Sequence, residues 1–267
     1  MRGIYLRMQL YLVLYDDKIF LYKQFLIKWE REYNMKIVLI NGQNHKGSTY
    51  KIGRQLAEKL GKDITEFFLP RGFGMFCIGC TKCFMTHESQ CPHYDDLSPI
   101  TLAMDSADVL ILTSPVYVFH ATGPMKTFLD HYGYRWMVHR PEGKMFQKQG
   151  VCISTAAGGG MKSTNKDMAD SLFFWGVPRI YKYGQAVYET SYDRVSDRIK
   201  KKIDRKTTIL ARKIKRNHGK IKPGIKTRGL FFIMHLVHRK GALETDSNYW
   251  KEKGWTGKRR PWKQEEN

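Results

Sequence analysis

Three short, wholly apolar runs constrain this chain most: Ile37-Val38-Leu39-Ile40, Val109-Leu110-Ile111-Leu112 and Val151-Cys152-Ile153. Consecutive apolar residues leave no polar face, so each run reads as a strand buried on both sides, as in a parallel sheet covered by helices. Helical text separates the runs. After the first, Ile52, Leu56 and Leu60 recur every four residues behind Ser48 or Thr49, and Gly61 ends the stripe. Further helices are predicted at about 97–106, from 123–124 through Leu129, at about 164–174, and through about Lys215. Two more strands are predicted at 64–69 and about 179–187. Five such βα units predict an α/β domain with a doubly wound five-stranded parallel sheet in the order 2-1-3-4-5.

In an open parallel sheet, ligands gather beyond the carboxyl ends of the strands, where the order reverses. Three loops fall there. The first carries Gln43, Lys46, Gly47, Ser48 and Thr49. Amides at a helix N-terminus, two hydroxyls and a lysine suit a phosphate dianion. Neither G-x-G-x-x-G nor G-x-x-x-x-G-K-[ST] is present, so the loop fits a mononucleotide and not a dinucleotide or a P-loop ligand. The plain alternative for Gly47-Ser48-Thr49 alone is a helix cap. The second loop, with Pro115, Val116, Tyr117 and Val118 leading to Phe119-His120, offers an aromatic and backbone amides to a flat ring, or else is a turn with a packed tyrosine. The third, Thr155 followed by Gly158, Gly159 and Gly160, lets backbone approach such a ring closely.

These words carry a family resemblance. Lys36 to Gly42, Gly47-Ser48-Thr49, Ser114-Pro115-Val116-Tyr117, Met125 to Asp130, and a cysteine run followed by Asp95-Asp96 make 35–187 similar to the NADPH-dependent FMN reductase and iron-sulfur flavoprotein branch of the flavodoxin superfamily. The resemblance implies a flavodoxin-like fold and FMN, its phosphate in the first loop and its ring between the second and third. Many members have Ser-Pro-Arg where this chain has Gln43-Asn44-His45. NAD(P)H is implied as co-substrate, with a quinone, nitro or azo compound, flavin or protein as acceptor. A flavin needs little acid-base help, so no catalytic side chain is assigned. Tyr117, His120 and Gly158 to Gly160 are expected to line the exposed ring face, and Arg135, Arg140 or the basic tail to favour NADPH through its extra phosphate.

Cys77, Cys80 and Cys83 follow C-x2-C-x2-C spacing, and Cys91-Pro92 comes after seven more residues. With no signal peptide legible, clustered thiols argue for metal or redox use over a disulfide framework. Three thiolates in a tight loop suit three corners of a cubane, and a more distant cysteine the fourth. Zinc, with His87 and His93 as substitute ligands, and unmetallated thiols stay open. In the iron-sulfur flavoproteins that the chain resembles, a similar motif holds a [4Fe-4S] cluster.

The formal charge is +21, and 180–267 holds 24 lysines and arginines against 9 acids, whereas the residues before it hold 22 against 16. Such an annex suits nucleic acid, an anionic surface, an acidic partner or simple solvation. The three strand-end loops favour a flavin enzyme over a nucleic-acid binder. No run of about 18 uncharged apolar residues occurs, so no membrane span is expected. The expected organisation is an N-terminal extension at 1–34, a flavodoxin-like FMN-binding domain at 35–190 with a cysteine insert at 70–95, and a basic, largely helical extension at 191–267. Homo-oligomerisation and a cytoplasmic location are expected, and the tail Tyr249 to Trp255 reads as an aromatic clamp on the domain or a neighbouring subunit. Residues 1–34 lack a small-residue cleavage site, and the natural start is expected at Met35. Mass spectrometry of the native protein checks this: no peptide should arise from before Met35.

Overall fold

The computed structural model describes residues 35–241 and 243–263. The N-terminal extension 1–34, and with it the expected start at Met35, lies outside the described residues. Five parallel strands, β1 (Ile37–Asn41), β2 (Ile64–Phe68), β3 (Val109–Pro115), β4 (Gln149–Ala156) and β5 (Arg179–Ala186), form one sheet in the order β2-β1-β3-β4-β5. This is the expected flavodoxin-like order. The helices are α1 (Ser48–Leu60), α2 (Lys82–Met85), α3 (Tyr94–Ser106), α4 (Gly123–Asp130), α5 (Met161–Phe174), α6 (Asp197–Asn217), α7 (Ile225–Arg239) and α8 (Glu244–Glu252).

Alternation along the central strands assigns each apolar residue to one of two cores. Ile37, Leu39, Val109, Ile111, Val151 and Ile153 face α1 and α6, packing with Ile52, Leu56, Ile203 and Ile214. Val38, Ile40, Leu110, Leu112 and Cys152 face the other side, against Ile100 and Met104 of α3, Phe128 of α4 and Leu172 of α5. Helix α6 therefore closes one face of the sheet, although the basic text had placed it in an extension. Lys59 ties it to α1 by donating to Asp204 Oδ1 at 2.6 Å and Thr208 Oγ1 at 2.7 Å. Helix α3 starts at Tyr94, earlier than expected. It tolerates Pro99 in its interior, and Ser98 Oγ donates to the Asp95 carbonyl at 3.1 Å, the acceptor that an N-H at position 99 would have served.

The tail docks on its own domain. Phe231, Trp250 and Trp255 pack with Met137 and Phe146 in a third cluster. Trp250 Nε1 donates to the His139 carbonyl at 2.6 Å and Tyr249 Oη to the Pro141 carbonyl at 2.7 Å. Asp246, 1% exposed, accepts from Arg140 Nη1 at 2.8 Å and stands 2.7 Å from His139 Nδ1. The apolar stretch Gly229 to Val237 is divided along α7: Phe231 is buried, while Phe232, Ile233 and Leu236 stay exposed.

Among the described residues, no helix is long and apolar enough to cross a membrane. Removing one partner of a buried ion pair strands the other charge. Asp246→Ala is therefore expected to cost about 3–5 kcal/mol in urea unfolding.

A pH effect follows from Lys148, 5% exposed just before β4, whose ammonium donates to the Asp105 carbonyl at 2.9 Å and to that of Ala107. Burial pushes its pKa down to about 8. Between that value and the unfolded lysine value, the unfolded chain holds more protons at this site, so its contribution to stability rises with pH. The half-buried Cys83 thiol and the buried Cys152 thiol, with raised pKa values, act in the opposite sense at alkaline pH. The informative quantity is thus a difference: wild type should gain about 2 kcal/mol over Lys148→Met between pH 8 and pH 10, and nothing below pH 7.

Candidate functional site

The order reverses between β1 and β3, and there the carboxyl ends of four strands surround a cavity of about 320 Å3. Its floor is polar. Asn41 Oδ1 accepts from Thr113 Oγ1 at 2.8 Å, and Asn41 Nδ2 donates to the Phe67 carbonyl at 3.2 Å, so the last residue of β1 joins β2 to β3. Gly42 follows under tight constraint: a Cβ there would meet Thr122 Oγ1 at 2.8 Å and the Thr113 carbonyl at 3.0 Å.

Gln43, Gly47, Ser48, Thr49, Pro115, Val116, Tyr117 and Thr155, all expected from sequence, line this one cavity. Lys46, Val118, Gly158 and Gly159 lie outside its lining. Lys46 Nζ instead stands 5.6 Å from the Tyr50 ring centroid and 5.9 Å from that of Phe68. Helix α1 opens on Gly47 with no side-chain cap and no acid in its first turn, so the positive end of its dipole is uncompensated. Ser48 Oγ is buried with no hydrogen-bond partner. A buried hydroxyl without a partner at an uncapped helix start is a donor awaiting an acceptor, and a phosphate supplies one. Thr49 Oγ1 lies 2.5 Å from Thr155 Oγ1, joining the first loop to the third.

The second loop is a tight turn in which Tyr117 and His120 exchange two backbone hydrogen bonds, at 3.0 and 2.9 Å. Val118 and Phe119 at its tip both have positive φ, 48° and 64°, an uncommon conformation for such side chains. Helix α5 holds it there. Asp167 Oδ2 accepts from the Ala121 amide at 3.0 Å and lies 3.1 Å from His120 Nδ1, while Ser163 Oγ donates to the Phe119 carbonyl. Gln43 Nε2 donates to Tyr117 Oη across the cavity mouth. Asn41, His45, Tyr50, Thr113, Ala156 and Ala157, with Val187, Glu189 and Thr190 beyond β5, complete the lining and were not among the expected site residues. The strand-end rule covers the last three, since they follow the fifth strand as the other loops follow theirs.

The four clustered cysteines occupy the segment between β2 and α3. Cys77 is exposed and Cys80, Cys83 and Cys91 half-buried, all as free thiols. The chain wraps tightly there, with φ 66° at Gly79 and 57° at Thr81. Burial, and then the nearby Cys91, Cys77 and Cys80, push the Cys83 thiol up to about 11. Arg140 donates to the carbonyls of Cys83 and, at 3.1 Å, Phe84, and Thr245 Oγ1 to that of Met85 at 3.0 Å, so the tail braces this loop. One potential ligand atom from each of Cys91, His93 and His131 lies within 4.8 Å of the others. His87, the other histidine considered for zinc, instead accepts from the Ser89 amide at 3.2 Å. Arg135 and Arg140, expected to meet a nicotinamide phosphate, are 5% and 7% exposed and paired with Asp105 and Asp246. Burial takes both away from any dissolved ligand.

A sequence model of the family described as NADPH-dependent FMN reductase matches residues 35–187. An iron-sulfur flavoprotein of Archaeoglobus fulgidus is 30% identical over 205 residues, 74% of this chain and 87% of that protein. An iron-sulfur flavoprotein of Methanocaldococcus jannaschii is 32% identical over 100 residues, 36% of this chain and 51% of that one. Among solved structures, an azoreductase from Bacillus anthracis superposes with TM-score 0.51 at 10% identity, covering 67% of this chain and 99% of its own. A flavone reductase superposes with TM-score 0.51 at 17% identity, covering 71% and 66%. At these identities the structures speak to the fold alone.

Gly160, φ 88°, presses the third loop on the second, where a Cβ would meet Val116 Cγ1 at 2.5 Å and Phe119 Cα at 3.3 Å. Gly160→Val is expected to lower unfolding stability by about 1–3 kcal/mol and to free the 117–120 turn for proteolysis.

Proposed function

The chain belongs to the NADPH-dependent FMN reductase family, and from that premise we propose that it is an FMN oxidoreductase passing electrons from NAD(P)H to a quinone, a nitro or azo compound, a flavin or a protein partner. The unpartnered Ser48 hydroxyl at the uncapped start of α1 is the observation that carries this reading. Ser48, Thr49 and the amides behind Gly47 would hold the phosphate, while Pro115, Val116, Tyr117 and Thr155 would hold the ring. Bound FMN supplies a ring that accepts hydride and passes on one or two electrons. The protein's share is position: Gln43 fixes the Tyr117 hydroxyl, and Asp167 fixes the turn carrying His120 at the cavity mouth. Lys46, Val118, Gly158 and Gly159, outside the lining, would contribute to the same FMN site from the loops that carry the lining residues.

Cys77, Cys80, Cys83 and Cys91 would hold a [4Fe-4S] cluster: all four are free thiols within the segment between β2 and α3, and a cationic centre would offset the cost of ionising the half-buried Cys83. Such a cluster supplies one-electron transfer between flavin and an outside carrier. The names of the archaeal relatives support this reading. Exposed Phe76, Ile78 and Met85 beside the loop support burial against a second copy of the chain. The domain at 35–190 would share its core with the C-terminal annex, since α6 from that annex covers one face of the sheet.

The purified protein is expected to be yellow and, stripped and refolded with FMN, to quench its fluorescence. Ser48→Ala should weaken FMN binding about tenfold or more, a loss of one charge-assisted hydrogen bond. Unquenched fluorescence in wild type would sink the reading. Anaerobic reconstitution should yield iron and acid-labile sulfide in equal amounts, lost in Cys80→Ser; stoichiometric zinc lost in His131→Ala would instead assign the loop to Cys91, His93 and His131.

A further inference from the structure

At the opposite end of the sheet, where the strands begin, lies a second cleft of about 1450 Å3. Small-ligand pockets run at roughly 300–1,000 Å3, so this one suits an extended ligand. Four stretches of chain bring cations to it. The residue before β1 supplies Lys36, the segment leading into β4 supplies Lys144 and Lys148, the passage from α6 into α7 supplies Lys220, Lys222 and Arg228, and the tail supplies Lys258, Arg260 and Lys263.

Two aspartates share the lining, and both are engaged in the fold. Asp105 Oδ1 accepts from Arg135 Nη2 at 2.5 Å, and Asp108 Oδ2 accepts from the Lys36 amide at 2.8 Å. Among the described residues, none of these nine cationic side chains has a carboxylate within salt-bridge distance, although Lys148 and Arg260 donate to backbone carbonyls. Unpaired cations gathered in a concavity with low-dielectric walls focus a positive potential and concentrate anions there.

Shape and lining narrow the class of anion. A concave site does not match the flat face of a bilayer. Strand-binding grooves for nucleic acid combine charge with aromatic platforms on which bases stack. Here Trp262 is occupied by its neighbours, with ring centroids 4.9 Å from Phe231 and 5.5 Å from Phe146. Among the described residues, no other phenylalanine, tyrosine or tryptophan lines the cleft. What remains is charge spread along a length.

We propose that this cleft is a second ligand site, remote from the flavin cavity, that binds a soluble linear polyphosphate through Lys220, Lys222, Lys258 and their neighbours. The phosphate chain is recognised whether free or carried on a nucleoside.

The test is calorimetric titration of the full-length protein with excess FMN present, using inorganic tripolyphosphate and adenosine triphosphate as probes. Saturable binding of tripolyphosphate is expected, weakening steeply as potassium chloride rises. Lys220, Lys222 and Lys258 are exposed, so the triple variant Lys220→Gln/Lys222→Gln/Lys258→Gln should fold. It should bind tripolyphosphate at least about tenfold more weakly, with unchanged FMN affinity. Ser48→Ala should leave tripolyphosphate binding as it is, which separates this site from the flavin loop. Equal affinity for the two probes points to free polyphosphate, and tighter adenosine triphosphate to the nucleoside-borne form. The proposal is overturned by absence of saturable binding, by a triple variant that binds like wild type, or by mixed-sequence single-stranded RNA binding about tenfold tighter than tripolyphosphate.

Discussion

Burial of β1, β3 and β4 on both faces is the constraint from which the rest of this molecule follows. A strand covered on each side has its backbone groups paired to neighbouring strands and its side chains in one of two apolar cores, as Ile37 and Leu39 on one side and Val38 and Ile40 on the other illustrate. Polar groups are thereby confined to strand ends. At the carboxyl ends, Asn41, Thr113 and Thr155 remain buried yet form the polar floor and walls of a site. The chemistry collects there because the interior of the sheet has no room for it.

Within that frame the helices divide their work. Helix α1 aims an uncapped N-terminus at the cavity, and α5 clamps the 117–120 turn through Ser163 and Asp167. The strained φ values at Val118 and Phe119 persist because these anchors over-determine the turn. A loop held this way keeps its shape without a ligand, which reduces the ordering cost of binding one.

The C-terminal segment links two features that lie far apart in sequence. Asp246 holds Arg140, and Arg140 holds the carbonyls of Cys83 and Phe84. The aromatic cluster of Phe231, Trp250 and Trp255 gives this ion pair its dry surroundings. Through that chain of contacts, packing of the tail positions the cysteine loop. The basic residues of the same segment point elsewhere, to the cleft beneath the sheet.

Strand identity, sheet order and the cluster of strand-end loops were legible in the amino acids alone, because two-sided burial leaves continuous apolar runs and the turns between them carry glycine, serine and threonine. Ser48, Thr49, Val116, Tyr117 and Thr155 could be named for the same reason: each stands at the carboxyl end of a strand or in the loop and helix start that follow it. Contacts between distant segments were not legible. Arg135 and Arg140 look from sequence like free cations, and only their packing against Asp105 and Asp246 removes them from solvent. Tertiary structure likewise decided that Lys46 turns to Tyr50 and Phe68, that His131 approaches Cys91, and that nine cations from four stretches share one cleft. Local pattern encodes which face of an element is apolar, whereas the meeting of side chains a hundred residues apart depends on how those faces stack.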